Sequence, residues 1–166
     1  MQMSASVTTD TYLLLGTNMG DRLALLKQAL EEITEQVAPY TRISSIYETA
    51  AWGNVNQPQY LNQVVQVSTS LPPSALLEKT QAIEKKLGRK RLVKWEARFI
   101  DIDILFYGAQ IIDTPDLQIP HPHIAERNFT LTPLAEIAPM LVHPTLKKTV
   151  TELLHQTTDR LPVHRL

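Results

Sequence analysis

Two helical patterns stand out in the distribution of hydrophobic and polar positions. Apolar residues recur at spacings of three and four over residues 23–37, which is the period of an amphipathic helix. Asp21 stands where an N-cap is expected, and Pro39 stops the pattern. A second helical period follows Pro73 and ends at Gly88, which is predicted to be the C′ residue. The chain is therefore predicted to contain two amphipathic helices in its first half.

Strand-like segments separate these helices. They are rich in β-branched and aromatic residues, are bounded by turn residues, and cover residues 12–15, 41–49, 60–69 and 98–108. The order is strand, helix, strand, strand, helix, strand. It predicts an α+β fold of the ferredoxin-like βαββαβ type, mainly an antiparallel sheet with helices packed on it. A C-terminal hairpin, with residues 110–112 as partner of the last strand, and short helices near residues 133–137 and 150–155 are expected to follow.

Length and composition limit the possible classes. The chain has 166 residues, 43% of them hydrophobic, and a net charge of −1. We predict a single domain at residues 11–166 after a disordered tail at residues 1–10. The chain has no cysteine, which favours a reducing, cytoplasmic location, and no apolar run long enough for a membrane span. A monomer is expected.

The segment RFIDIDILFYG at residues 98–108 has the strongest strand pattern, yet two aspartates interrupt it. Alternate side chains of a strand share a face, so Asp101 and Asp103 project together, about 6.6 Å apart along the strand. Residues 100, 102, 104 and 106 are expected to face the core. Two close carboxylates favour a divalent cation such as Mg²⁺, which proteins often hold together with substrate phosphates. The alternative is an ordinary solvent-exposed strand face.

A basic segment precedes this strand. Its cations are Arg89, Lys90, Arg91, Lys94 and Arg98. Cations next to a metal pair would complete a polyphosphate site, although a solvated loop is the more common role of such a run. Trp95 lies within the segment and either stacks on a ligand ring or anchors the loop.

Further candidates lie on either side of the acidic strand. In IPHPHIAERNFTL, His121 and Arg127 are candidates for phosphate binding, and Phe129 for a ring-stacking wall. Tyr60 and Asn62 share a face at the start of a strand and could bind a flat heterocycle with polar edges. For each residue a structural role is also possible: a loop hydrogen bond, a surface charge, a turn or core packing.

Several motifs together resemble one family. They are LLLGTNMGDR, SSIYET, QPQYLNQVV, QAIEKKLGR, KWEARFIDIDILFYG, IPHPHIAERNF and PLAEIAP, in this order. With them the chain resembles the 6-hydroxymethyl-7,8-dihydropterin pyrophosphokinases. The resemblance implies diphosphate transfer from ATP, the co-substrate, to the hydroxymethyl group of the pterin, with release of AMP, in folate biosynthesis. The chain differs from the family pattern at Ala50 and in the turn KWEAR, which has no proline.

The resemblance also implies roles for individual residues. Asp101 and Asp103 would bind two Mg²⁺ ions. The expected catalytic residues are Arg91, Arg98, Asp101, Asp103 and His121. The expected ATP-binding residues are Gln81, Glu84, Arg91, Trp95, Arg98, Ile104, His121 and Arg127. The expected pterin-binding residues are Thr49, Tyr60, Asn62, Trp95 and Phe129. Residues 53–57 and 90–96 would act as lids.

Three alternatives belong to other classes. A nucleic-acid-binding ferredoxin-like module would use the basic loop at residues 89–98. A metal-dependent nuclease would need a third acidic ligand, for which Glu84 is the candidate. A non-enzymatic scaffold would leave the acidic pair and its cationic neighbours without a joint explanation. The chain has neither a P-loop nor a G-x-G-x-x-G motif, so ATP would be bound without a glycine cradle. No nucleic-acid or membrane partner is expected.

Overall fold

A computed structural model describes residues 7–50, 58–88 and 99–166. The helices in this part of the chain are α1 (Arg22–Gln36), α2 (Pro73–Leu87), α3 (Asn128–Ile137) and α4 (Val150–Gln156), with a 3₁₀ turn at Ile124–Glu126. The strands are β1 (Thr9–Thr17), β2 (Tyr40–Ile43), β3 (Tyr47–Thr49), β4 (Tyr60–Thr69), β5 (Asp101–Tyr107), β6 (Ile112–Asp113), β7 (Gln118–Ile119) and β8 (Val163–Arg165). Within the described ranges, no helix has the length and hydrophobicity needed to cross a bilayer.

The main sheet is antiparallel and has the order β5-β1-β4-β3-β8, with β2 also paired to β4. Strands β6 and β7 form a separate two-stranded sheet. Helices and an antiparallel sheet together confirm the predicted α+β class.

Each face of the main sheet carries its own hydrophobic cluster, because side chains alternate along every strand. Leu13 and Leu15 of β1 join the cluster formed with α1 and α2. Tyr12 and Leu14 point the other way, into the cluster formed with α3 and α4. Both clusters contain fully buried side chains, so the sheet is covered on two sides and only part of the second face remains open for a site.

The predicted helices α1 and α2 occur where expected. The Asp21 carboxylate accepts a hydrogen bond from the backbone N–H of Ala24 at 3.1 Å and so caps α1. Gly88 ends α2, but as the C-cap with φ −97°, not as a left-handed C′ residue. The backbone N–H of Gly88 donates to the Glu84 carbonyl oxygen at 2.9 Å.

The strand expected at residues 41–49 is divided into β2 and β3. Ser44 stands between them, and its hydroxyl both accepts from the backbone N–H of Val64 at 2.9 Å and donates to the Ser45 carbonyl oxygen at 2.7 Å. A serine side chain that bonds to nearby backbone in this way competes with a regular ladder. The two short strands nevertheless pair with the same partner, β4.

The chain beyond β5 differs from the prediction. Residues 110–112 do not become the partner of β5, because Ile112 pairs with Ile119 of β7. Helix α3 begins at Asn128, not at Pro133, which lies inside the helix. Phe106 belongs to the second cluster, because the register between β1 and β5 shifts after Tyr12.

The N-terminal boundary also needs correction. Strand β1 begins at Thr9, and Asp10 pairs with Ser68, so the tail predicted for residues 1–10 is too long by two residues at its end. Residues 1–6 lie outside the described part of the chain.

Candidate active site

The acidic pair lies on the open part of the second sheet face. Along β5, Asp101 and Asp103 are half-buried, whereas Ile102 and Ile104 are buried in the cluster under α1 and α2. The predicted alternation is thus present at this end of the strand. Both aspartates line a cavity of about 490 Å³. They are therefore positioned at a concave surface, and neither lies in the core.

A glycine forms the floor of this cavity. Gly16 of β1 is paired with Asp101 on one side and with Asn62 on the other. Residues directly opposite each other in a sheet point to the same face, so the three positions form a row across the cavity floor. A Cβ atom at Gly16 would lie 2.9 Å from Asn62 Oδ1. The missing side chain therefore leaves the space above the sheet open.

We expect Gly16→Ala to lower the affinity of this cavity for its ligand. The added methyl group would displace the Asn62 amide, which donates through Nδ2 to Thr49 Oγ1 at 3.3 Å. If the cavity binds the pterin that the family resemblance implies, the KM of this variant for pterin should rise about tenfold, which is the cost of one displaced hydrogen bond. Steady-state kinetics with each substrate varied in turn would measure this. An unchanged pterin KM would show that the cavity floor does not contact the substrate.

Aromatic residues form the walls. Tyr60, at the start of β4, pairs with Thr49 of β3, and Phe129 lies in the first turn of α3. All three line the cavity with Asp101. Burial raises the pKa of Tyr60, and the nearby charge of Asp101 raises it further. The hydroxyl of Tyr60 therefore stays protonated beside the carboxylates.

Phe129 has a double role. It packs on the second hydrophobic cluster and also lines the cavity. The Arg127 guanidinium lies 5.5 Å from the centroid of its ring, within the range of a cation–π contact. Arg127 lines the same cavity, so a cation and a ring wall come from positions two residues apart at the start of α3.

A second cavity, of about 270 Å³, lies along the outer edge of β5. Asp103 lines both cavities. Ile104 and His121 line the second one, together with Leu77 of α2. The two cavities therefore meet at one carboxylate. A ligand in either of them would contact Asp103.

Gln81 and Glu84, expected to contact adenosine, line neither cavity. Gln81 is exposed on α2. The Glu84 carboxylate accepts a hydrogen bond from the backbone N–H of Ile102 at 2.9 Å. Because Ile102 stands between the two aspartates, Glu84 holds the outer edge of β5 at the level of the acidic pair.

His121 is attached to the same strand through its backbone, whose N–H donates to the Leu105 carbonyl oxygen at 3.0 Å. Its ring Nδ1 accepts from the backbone N–H of His123 at 3.2 Å, which assigns the proton of the neutral ring to Nε2. Burial, together with the charges of Arg127 and His123, lowers the pKa of His121 to about 4. At neutral pH the ring therefore offers a hydrogen-bond donor and no positive charge.

The lowered pKa of His121 predicts a pH-dependent contribution to stability. Between pH 6.5 and about 4 the unfolded chain binds a proton at His121 that the folded chain does not. The free energy of unfolding should therefore fall as pH decreases through this window, and His121→Gln should reduce that fall. Urea denaturation of the wild type and the variant at pH 7 and pH 5 would measure this change in the free energy of unfolding. The buried His143, whose pKa is also lowered, contributes equally to both proteins. Equal pH dependence of the two proteins would contradict this prediction.

The turn between β1 and α1 contacts the chain next to the site. Thr17 donates its hydroxyl to the Phe99 carbonyl oxygen, two residues before Asp101. The Arg22 guanidinium donates to Glu48 Oε2 and to the Gln59 carbonyl oxygen, each at 2.8 Å. The motif GTNMGDR therefore supports the strands that carry the site.

Some residues were missed by the sequence analysis. Gly16, Leu14, His123 and Glu126 also line the larger cavity. The sequence pattern assigns no role to His123, whose Nδ1 lies 3.0 Å from Glu126 Oε2. Only the pairing of β1 with β4 and β5 places Gly16 between predicted site residues, and sequence spacing does not contain that information.

Other candidates cannot be placed. Arg91, Trp95 and Arg98, and both predicted lids at residues 53–57 and 90–96, lie outside the described residues. Among residues 7–50, 58–88 and 99–166, no cluster of three or more His, Asp or Glu side chains could hold a metal ion. A nuclease site with Glu84 as third acidic ligand therefore has no support in this part of the chain.

The fold and the site define a class: an α+β protein with a two-cavity small-molecule site, in which an aromatic-walled cavity adjoins two carboxylates. The family model described as 7,8-dihydro-6-hydroxymethylpterin-pyrophosphokinase matches residues 12–139. The chain belongs to this family.

Curated relatives cover most of the chain. A 2-amino-4-hydroxy-6-hydroxymethyldihydropteridine pyrophosphokinase of Aquifex aeolicus is 43% identical over 89% of this chain and 91% of its own length. The enzyme of the same name from Bacillus subtilis is 48% identical over 76% of each chain.

Solved structures share the fold at lower identity. The chain is similar to wild-type HPPK-DHPS of Plasmodium falciparum, solved with pteroate, with a TM-score of 0.71 and 18% identity. The similarity covers 93% of this chain and 43% of that longer chain.

Proposed function

We propose that this protein transfers diphosphate from ATP to the hydroxymethyl group of 6-hydroxymethyl-7,8-dihydropterin and releases AMP, as a step of folate biosynthesis. Membership of the pyrophosphokinase family carries this conclusion. The position of the acidic pair between an aromatic-walled cavity and a second cavity supports it. No observation favours the nucleic-acid-binding alternative.

The larger cavity is the proposed pterin site. A pterin is a flat bicyclic heterocycle with hydrogen-bonding edges. Tyr60 and Phe129 offer ring faces, and the Asn62 amide offers both a donor and an acceptor. Thr49 lies at the same end of the cavity. We assign the adenosine part of ATP to the second cavity, next to Ile104, with the polyphosphate crossing at Asp103.

Asp101 and Asp103 are the proposed ligands of Mg²⁺, with two ions expected. Their carboxylate oxygens are the donors that this hard cation prefers, and both line the cavity at the boundary of the two sites. When bound, Mg²⁺ would neutralise charge on the phosphate oxygens. Two carboxylates supply only part of a coordination shell. Such a pair suits Mg²⁺, because this ion usually keeps substrate oxygens and water as further ligands.

The proposed reaction is one displacement at phosphorus. The pterin hydroxymethyl oxygen forms a bond to the β-phosphorus of ATP, the bond from this phosphorus to the α–β bridging oxygen breaks, and AMP leaves with that oxygen. The hydroxyl proton goes to solvent or to a phosphate oxygen. The chain's own contribution is to orient the two substrates and to place donors around the phosphates. His121 Nε2–H and the Arg127 guanidinium are the described donors for this role.

Several finer assignments remain proposals. Arg91, Arg98 and Trp95 are proposed to bind ATP, and Gln81 and Glu84 to lie near its adenosine part. The chain from the start of β1 at Thr9 onward is proposed to form one domain of the ferredoxin-like βαββαβ type, which the sheet order supports. A monomer located in the cytoplasm is proposed.

The direct test is an assay of AMP formation. The protein is mixed with ATP, Mg²⁺ and 6-hydroxymethyl-7,8-dihydropterin, and AMP is measured against a control without pterin. We expect AMP to form only with pterin and to disappear when EDTA removes the divalent cation. Absence of pterin-dependent AMP would reject the proposed function.

A further inference from the structure

The C-terminal segment, residues 157–166, lies beyond the region that matches the family model, which ends at residue 139. It contains no residue of either cavity. It nevertheless makes direct contacts with two elements that line the proposed pterin site. These elements are α3, with Phe129 and Arg127 at its start, and β3, with Thr49 at its end.

The first contact is made by Asp159. Its Oδ2 accepts a hydrogen bond from the backbone N–H of Asn128 at 2.8 Å, and its Oδ1 accepts from the backbone N–H of Leu161 at 3.0 Å. Asn128 is the first residue of α3, and no side chain of the preceding residue caps this helix. Asp159 therefore supplies a helix cap from a distant part of the chain. Asn128 Nδ2 also donates to the Leu161 carbonyl oxygen at 3.4 Å.

The position of this cap matters because Phe129 immediately follows Asn128. The first turn of a helix has backbone N–H groups without partners inside the helix, and a cap reduces its tendency to fray. Arg127 and Phe129 both belong to this end of α3 and line the larger cavity. Order in the first turn therefore determines the position of one wall of the cavity.

The second contact is a strand pairing. Strand β8 adds to the edge of the sheet beside β3, with Val163 opposite Thr49 and Arg165 opposite Tyr47. The backbone N–H of Leu166 extends this pairing by donating to the Ile46 carbonyl oxygen at 2.9 Å. Without β8, the short strand β3 would have a partner only on its β4 side.

A polar link between β3 and α3 completes the arrangement. The Tyr47 hydroxyl donates to Glu136 Oε1 at 2.7 Å, and the Ser45 backbone N–H donates to the same oxygen at 3.0 Å. Burial raises the pKa of Tyr47 to about 12, and its hydrogen bond to Glu136 contributes, so its hydroxyl keeps its proton. The charge of Arg165, from β8, acts on both groups. The end of the C-terminal segment therefore lies beside the contact that joins the two walls.

From these contacts we infer that the C-terminal segment is a brace that positions both walls of the pterin site, with Asp159 as its positioning residue. The inference rests on the proposed function for the identity of the ligand. Asp159 acts through Asn128 on Phe129 and does not itself line the cavity. The segment should thus affect pterin affinity more than ATP affinity, because Arg127 is the one described ATP-binding candidate at the capped end of α3.

The test uses Asp159→Ala in the full chain. Loss of the cap should raise the KM for 6-hydroxymethyl-7,8-dihydropterin roughly three- to thirty-fold, the range expected for a lost helix cap. The KM for ATP should stay within about twofold, below the effect of one weak contact. Asp159→Asn keeps one acceptor oxygen and should restore most of the pterin affinity.

Thr149→Ala is the matched control. Thr149 caps α4 through a hydrogen bond from the backbone N–H of Glu152 at 3.1 Å, and α4 lines neither cavity. Its replacement should lower the melting temperature about as much as Asp159→Ala and leave the pterin KM unchanged. If both variants lower stability and neither changes the pterin KM, or if Asp159→Ala raises both KM values equally, the inference is wrong.

A binding measurement separates this inference from the proposed function. The fluorescence of 6-hydroxymethylpterin can be titrated with each variant in the absence of turnover. If the wild type binds this probe and Asp159→Ala binds it more weakly than Thr149→Ala does, the brace is supported even if no AMP is formed. If the wild type forms AMP and all three proteins bind the probe equally, the function stands and the brace is rejected.

Discussion

Replacing either Asp101 or Asp103 by asparagine should reduce the rate of AMP formation on the order of a hundredfold or more, since metal charge stabilisation contributes several kcal/mol to phosphoryl transfer. Asparagine keeps the size of the side chain and removes its charge. Both positions are half-buried on the cavity side of β5, and the core contacts of the strand come from its buried residues 102 and 104–107. The melting temperature should therefore change little.

The control for this experiment is Asp113→Asn. Asp113 is an exposed carboxylate of β6 that lines neither cavity, so its replacement should leave turnover unchanged. The Mg²⁺ concentration that gives half-maximal rate should rise for the variants at Asp101 and Asp103, and not for the control. If both site variants keep a near-normal turnover rate at ordinary Mg²⁺ concentrations, the acidic pair has no part in the mechanism.

Replacing Phe129 should have the second largest effect, on pterin binding. Phe129→Leu keeps a large apolar side chain against the second hydrophobic cluster and removes the ring that faces the cavity. Stacking of a heterocycle on an aromatic side chain contributes about 1–3 kcal/mol, so the pterin KM should rise roughly tenfold to a hundredfold. The Arg127 guanidinium would also lose the ring on which it lies.

Phe129→Tyr is the informative comparison, because it retains the ring. We expect its pterin KM to remain close to that of the wild type and its melting temperature to match that of Phe129→Leu within a few degrees. The KM for ATP should change less than the pterin KM in both, since the contact of Phe129 with Arg127 is the described link from this ring to the phosphates. If leucine and tyrosine give the same pterin KM, Phe129 is a packing residue and the ring wall is formed elsewhere.

Patterns in the sequence predicted the structural features whose stabilising interactions join residues close together in the chain. The cap at Asp21 and the apolar period of α1 involve residues within a few positions of one another. The alternation that places Asp101 and Asp103 on one face is likewise a property of a single strand. These features were confirmed because the interactions that create them lie within one segment of the chain.

The features that were missed depend on contacts between distant segments. Helix α3 starts at Asn128, whose backbone N–H donates to Asp159, and the prediction started it five residues later, at Pro133. Gly16 became a site residue only through its pairing with Asp101 and Asn62. The Phe106 side chain changed faces through a register shift between two strands. Sequence spacing carries no direct information about such contacts.

The position of Asp103 on the boundary of two cavities restricts how β5 can vary in evolution. Side chains of a strand change faces with every residue, so the gain or loss of one residue between Asp101 and Asp103 would put the two carboxylates on opposite faces of β5. Homologous chains should therefore tolerate length differences in the exposed turn at residues 109–111, which lines neither cavity, and none between Asp101 and Asp103.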